Sequence, residues 1–111
     1  MSVEKENRRH PRIPYLCPVS ISWEDAHGHT TYAHAKCLDV SEEGLRIEVS
    51  KPISVHSRIS FRAERLNVSG SATVKHVTRL GAKYSLGLNL SQALRSEILI
   101  AIVRDNESDE D

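Results

Sequence analysis

Tyr15-Leu16-Cys17-Pro18-Val19-Ser20-Ile21-Ser22-Trp23 is the stretch on which the reading of the fold turns. Cys17, Val19, Ile21 and Trp23 fall on one side and Pro18, Ser20 and Ser22 on the other. A period of two fits a strand with one buried face; it does not fit a helix, whose apolar stripe returns at every third or fourth residue. Working outward, residues 24–29 are polar and contain Gly28, which predicts a loop, and residues 31–38 resume the alternation with Ala33, Ala35 and Cys37 opposite Tyr32, His34 and Lys36.

A tight turn over residues 41–44 leads into Leu45, Ile47 and Val49, which alternate with Arg46 and Glu48 until Pro52 ends the run. Ile59, Phe61 and Ala63 alternate with Arg58, Ser60 and Arg62. A turn region over 67–70 precedes an extended segment from Ala72 through Val74 to about Val77, and Leu86, Leu88 and Leu90 mark a sixth run. Beyond Ser91, which suits an N-cap, the period changes: Leu94, Ile98 and Ile102 recur at helical spacing and Leu99 widens the stripe. Six short strands and one amphipathic helix predict a mostly β chain, an antiparallel barrel or tightly wrapped sheet with the helix over an opening.

The 111 residues suit one domain. No apolar run is long enough to cross a bilayer and the start is charged, so the expectation is a soluble, cytoplasmic protein without membrane insertion. Cys17 and Cys37 lack CxxC spacing and read as buried thiols on strands, neither a disulfide nor a metal site. His27-Gly28-His29, with His34 nearby, lacks a carboxylate or cysteine to complete a zinc site and reads as a polar turn. GxSxG, HExxH, Walker-type and dinucleotide fingerprints are missing from the sequence, so no enzyme and no cofactor are expected.

Formal net charge is zero, but it is unevenly spread. Residues 1–14 carry Lys5, Arg8, Arg9 and Arg12 against Glu4 and Glu6, a net +2; residues 104–111 carry Arg104 against five carboxylates, a net −4. A neutral chain lacks the broad basic face that DNA or RNA binding needs, and one Phe, one Trp and three Tyr give few platforms for stacking bases. A local basic cluster suits a small anionic ligand better.

Two constellations carry that chemistry. Arg8, Arg9 and Arg12 stand in Arg8-Arg9-His10-Pro11-Arg12, where Pro11 and Pro14 discourage a continuous helix. The planar guanidinium fork makes paired charge-assisted bonds to phosphate or to the O6/N7 edge of guanine. A solvated basic tail is the plainer reading of this segment alone. In Asp39-Val40-Ser41-Glu42-Glu43-Gly44, Asp39 offers acceptors for guanine N1–H and N2–H₂, Ser41 offers a hydroxyl, and Gly44 allows a positive φ or a close ligand approach. An ordinary turn favours the same residue types.

An RxxxR, one strand, a loop, a second strand and then DxSxxG together resemble the PilZ domain family. The resemblance runs over roughly residues 8–103, including Val74-Lys75-His76-Val77, Leu86-Gly87-Leu88-Asn89-Leu90 and the final helix. It implies a six-stranded antiparallel β-barrel of the split-barrel type with a C-terminal helix, acting as a receptor for cyclic di-GMP. Position by position it implies that Arg8 and Arg12 engage guanine and phosphate, that Arg9 adds a phosphate contact, and that Asp39, Ser41 and Gly44 form the DxSxxG corner. His76 falls where relatives carry a residue packing on guanine; a histidine merely satisfied in its surroundings would look the same. The organisation then reads as a flexible basic arm over 1–12, a barrel-and-helix domain over 13–104 and a disordered acidic tail over 105–111. The implied mechanism is an arm whose like-charged arginines lack partners until ligand orders them, presenting a changed surface to a downstream protein. The competing expectation is a PilZ-type interaction adaptor that binds no nucleotide; such members lack motif residues that this chain retains.

Overall fold

The computed structural model describes residues 11–108. Six strands, β1 (Ile13–Glu24), β2 (Thr30–Val40), β3 (Gly44–Val49), β4 (Arg58–Ala63), β5 (Val68–Leu80) and β6 (Lys83–Leu90), precede one helix, α1 (Ser96–Ser108). They close into a barrel in the order β1-β2-β3-β6-β5-β4, with every pairing antiparallel. The six-stranded antiparallel barrel with a C-terminal helix is therefore the architecture adopted.

The alternation that opened the reading is realised in β1, where Cys17, Val19 and Ile21 are buried while Leu16, Pro18 and Ser20 are exposed. The same parity in the other strands puts Ile47, Ile59, Val74 and Leu86 inside, each fully buried. Burying such a side chain stabilises the fold by about 1.5–3 kcal/mol, so the inner rows are the main source of cohesion. Ile102 of α1 is fully buried as well, and Ile98 and Leu99 pack partly against the cluster, so the helix lies on the barrel through three of the four residues of the expected stripe.

Several boundaries move, each for a local reason. Strand β5 begins at Val68, so Ser69 and Gly70 are strand residues; the reversal is made earlier by a 3-10 turn at Glu64–Leu66, which ends with Asn67 at φ +54. β5 also runs past Val77 to Leu80, where Gly81 and Ala82 make a two-residue hairpin with β6. Gly81 takes φ +62 at its first position, as a type II′ turn requires.

Ser91 does not cap the helix. Its N–H donates to Ser71 O, and α1 starts five residues later at Ser96. Leu94 is buried, but its N–H donates to Glu42 O at 2.8 Å, so tertiary bonding holds it outside the helix. At the other end α1 continues through Ser108, taking in Asp105, Asn106 and Glu107, which the sequence had placed in a disordered tail. The reason lies in the strand beneath. Tyr15 Oη donates to Asp105 Oδ2 at 2.5 Å, and Asn106 Nδ2 donates to Pro14 O at 2.8 Å. Arg65 approaches Asp105 at 3.4 Å while its guanidinium carbon lies 5.7 Å from the Tyr15 ring centroid. These polar anchors substitute for the apolar residues the tail lacks.

Candidate functional site

The segment from Asp39 to Gly44 turns the chain from β2 into β3. Ser41 N–H donates to Gly44 O at 2.9 Å, and Ser41 Oγ donates to the same carbonyl at 3.5 Å. Glu43 O accepts from the Leu90 N–H at 2.8 Å, fastening the corner to the end of β6. Gly44 is required by space, not by a positive φ: a Cβ there would lie 2.9 Å from Leu88 O, closer than real Cβ atoms come to a carbonyl.

Asp39 sits at this corner with its side chain 11 % exposed. Oδ1 accepts from Arg12 Nε at 2.8 Å, and Oδ2 accepts from Arg46 Nε at 2.7 Å. A carboxylate this sheltered needs compensation, and two guanidiniums provide it with a surplus of one positive charge. The arginine side chains are 36 % and 49 % exposed, so water screens both pairs and each adds under about 1 kcal/mol to stability. The expectation that the arm's arginines lack partners before ligand arrives fails for Arg12, which is already held by Asp39. Arg8 and Arg9 lie outside the described residues.

Two irregularities in the ladder aim these side chains. Between the pairs Cys37↔Ile47 and Asp39↔Arg46, β2 advances two residues against one in β3. The extra residue turns Asp39 toward outward-facing Arg46 and still lets Val40 return to the core beside Leu45. In β5 the pairs Val74↔Leu88 and His76↔Gly87 enclose a second extra residue, Lys75. Lys75 and His76 are consequently both exposed, whereas strict alternation from Val74 would send His76 inward.

Register then places Arg46, Gly87 and His76 in one row across β3, β6 and β5. Gly87 leaves the middle of that row without a side chain, and His76 leans over it: a Cβ at Gly87 would lie 3.2 Å from His76 Cδ2. A groove of about 580 Å³ runs over this outer face, lined by Arg12, Ser41, Gly44 and His76 together with Glu43, Arg46, Lys75, Thr78, Ser85, Gly87 and Asn89 among others. Of the residues expected from sequence, Arg12, Ser41, Gly44 and His76 share this groove, and Asp39 braces two of its arginines from behind. Arg46 and Lys75 were missed. Arg46 was legible as an outward position two residues after Gly44, and Lys75 only through the bulge.

The groove offers cations for phosphate, amide-like and hydroxyl groups for base edges, and an imidazole face. Among the described residues no group of three or more histidine, cysteine or acidic side chains converges as a metal site. His27 and His29 lie in the β1–β2 turn, where Asp25 Oδ1 accepts from both of their N–H groups. No helix among the described residues is long and apolar enough to cross a membrane.

Comparison with solved structures gives the same architecture. The chain is similar to the PilZ domain of YcgR from Escherichia coli with c-di-GMP, at a TM-score of 0.64 and 15 % identity, over 93 % of this chain and 95 % of that one. It is similar to the K. pneumonia MrkH–c-di-GMP complex at a TM-score of 0.69 and 14 % identity, over 92 % of this chain and 55 % of that one. A second YcgR complex with c-di-GMP from Escherichia coli gives 0.61 and 16 %, over 93 % of this chain and 46 % of that one. No curated protein sequence matches. At these identities the likeness carries the fold, and the family rests on the sequence itself: the PilZ domain model matches residues 6–104, and the chain belongs to the PilZ domain family.

Proposed function

We propose that this protein is a receptor for cyclic di-GMP, a non-catalytic sensor that takes the dinucleotide into the groove on the outer face of β3, β6 and β5. The observation that carries the reading is the Arg12–Asp39–Arg46 cluster at the groove's rim. Each Asp39 oxygen spends one lone pair on an arginine Nε, and a carboxylate has about four acceptor sites, so guanine N1–H and N2–H₂ have acceptors left. The terminal guanidinium nitrogens are then oriented for guanine O6/N7 or phosphate, and Lys75 adds a further cation on the same groove. His76 over Gly87 supplies an imidazole face for a purine. Solved PilZ proteins of the same fold are complexes with c-di-GMP, which supports the ligand class.

In this reading Arg8 and Arg9 join Arg12 on the phosphates, so the arm folds over the nucleotide and the changed surface is what a downstream protein recognises. Arg12 already tethers the arm's end to Asp39, which lowers the ordering cost paid on binding. The test is calorimetric titration of the chain with cyclic di-GMP beside GTP and cyclic di-AMP, repeated with Arg8→Ala, Arg12→Ala and Asp39→Ala. Binding is expected for cyclic di-GMP alone. Each arginine variant should weaken it about tenfold or more, since a charge-assisted bond contributes about 1.5–3 kcal/mol. Wild-type protein that binds none of the three would leave the nucleotide-free adaptor as the function.

A further inference from the structure

We propose that Cys17 and Cys37 form a redox modification site, a thiol pair that peroxide closes into a reversible disulfide joining β1 to β2. The chain's two cysteines are register partners across the β1–β2 ladder, and both side chains face the core, at 3 % and 1 % exposure. Both are free thiols. Directly opposed residues in an antiparallel pair have Cα atoms about 4.5–5.5 Å apart, inside the span of about 4.4–6.8 Å that a disulfide needs. The bond therefore requires rotation of side chains and no transport of backbone.

The local chemistry favours the step. Contact between the two thiols draws Cys17 below the ordinary thiol value and pushes Cys37 above it, with burial adding to the rise at Cys37. The Asp39 carbonyl holds the Cys37 S–H at 3.7 Å and so favours its neutral form, which leaves Cys17 as the attacking sulfur and Cys37 as the resolving one. Cys17 sulfur attacks one peroxide oxygen, the O–O bond breaks, and a sulfenic acid and one water result. Cys37 sulfur then attacks the Cys17 sulfur and expels the hydroxyl as a second water. Two thiols lose two protons and two electrons, and hydrogen peroxide is reduced to two waters.

Access and consequence both follow from where the pair sits. The pairing is irregular on the Pro14–Asp39 side of it, between Pro14 and Cys17 in the β1–β2 ladder and between Cys37 and Asp39 in the β2–β3 ladder. Interrupted pairing lowers the cost of a local opening that admits a molecule little larger than water. Cys17 lies on the strand that follows Arg12, and Cys37 lies two residues before Asp39, whose carbonyl accepts from the Cys37 thiol at 3.7 Å. The bond would staple together the strands that carry the two sides of the Arg12–Asp39 contact. It does not depend on which ligand fills the groove.

The experiment treats native, fully reduced protein with hydrogen peroxide, then alkylates free thiols and weighs the intact chain, with and without thiol reductant. The expected result is a monomer lighter by two hydrogens, with neither thiol alkylated until reductant restores both, and a Tm raised by roughly 5–10 °C. Cys37→Ser should stop at a Cys17 sulfenic acid that dimedone traps. Two thiols that stay reduced and alkylatable, a disulfide-linked dimer, or a closure rate that simply tracks global unfolding across a urea series would each overturn the proposal. The wild-type mass measurement decides the matter even if the serine variant folds poorly.

Discussion

Asp39 and Asp105 each hold an arginine beside the first residues of β1, Asp39 from the end of β2 and Asp105 from the end of α1. At Asp39 the two oxygens go to two arginines, both partly exposed and lining the same groove. At Asp105 the phenol of Tyr15 and the guanidinium of Arg65 converge on one oxygen, and the phenol belongs to a ring that is 4 % exposed in the core. Similar parts thus perform different work. The first cluster keeps solvated cations pointed outward and contributes little cohesion; the second ties the helix to the barrel.

Asp39→Ala is the sharpest way to break this contrast. It should reduce cyclic di-GMP affinity by at least about a hundredfold in calorimetry, because two charge-assisted base contacts go at once, while Tm moves little since both arginines rehydrate. A large fall in Tm with unchanged affinity would reverse the roles assigned to the clusters. Gly44→Ala tests whether the corner itself is tight. A methyl against Leu88 O forces β3 from β6 and should cost about 1–3 kcal/mol in urea unfolding.

Tyr15→Phe probes the second cluster and should cost about 1–2 kcal/mol with ligand affinity within about twofold of wild type. Its pH dependence sharpens the point. Burial, then the hydrogen bond to Asp105, raises the Tyr15 phenol well above its ordinary value of 10.0. A raised value stabilises the fold fully below the unfolded value and loses that contribution as pH climbs past it. Wild-type stability should therefore decline from about pH 10 upward through this residue, and the phenylalanine variant should lack that component of the decline in alkaline denaturation curves. Gly87→Ala has the smallest expected effect. The His76 ring must yield by a few tenths of an ångström, and affinity should change about two- to threefold with stability nearly constant.

Strand content and facing were legible because Cys17, Val19, Ile21, Leu45, Ile47, Leu86 and Leu88 obey a period of two that burial enforces. The corner was legible because Asp39, Ser41 and Gly44 lie within six residues of one another. What strict alternation hides is the bulge, although its mark is present: Cys37 and Val40, and Val74 and Val77, are core-facing pairs spaced by three. That spacing is what turns Asp39 and His76 outward. The helix start was misjudged because Leu94 keeps helical spacing with Ile98 while its amide is captured by Glu42, a contact 52 positions back in sequence that no local pattern encodes.

Closure of the barrel has a consequence for how a partner can dock. Around the closed part each strand has a neighbour on both sides, but residues 30–34 of β2 extend past β3 and residues 76–80 of β5 extend past β4, so these two extensions present the open margin to which a peptide strand can add, the route that many small β domains offer. Within the closed part recognition of this domain has to run through side chains, on the outward faces of the strands and of α1.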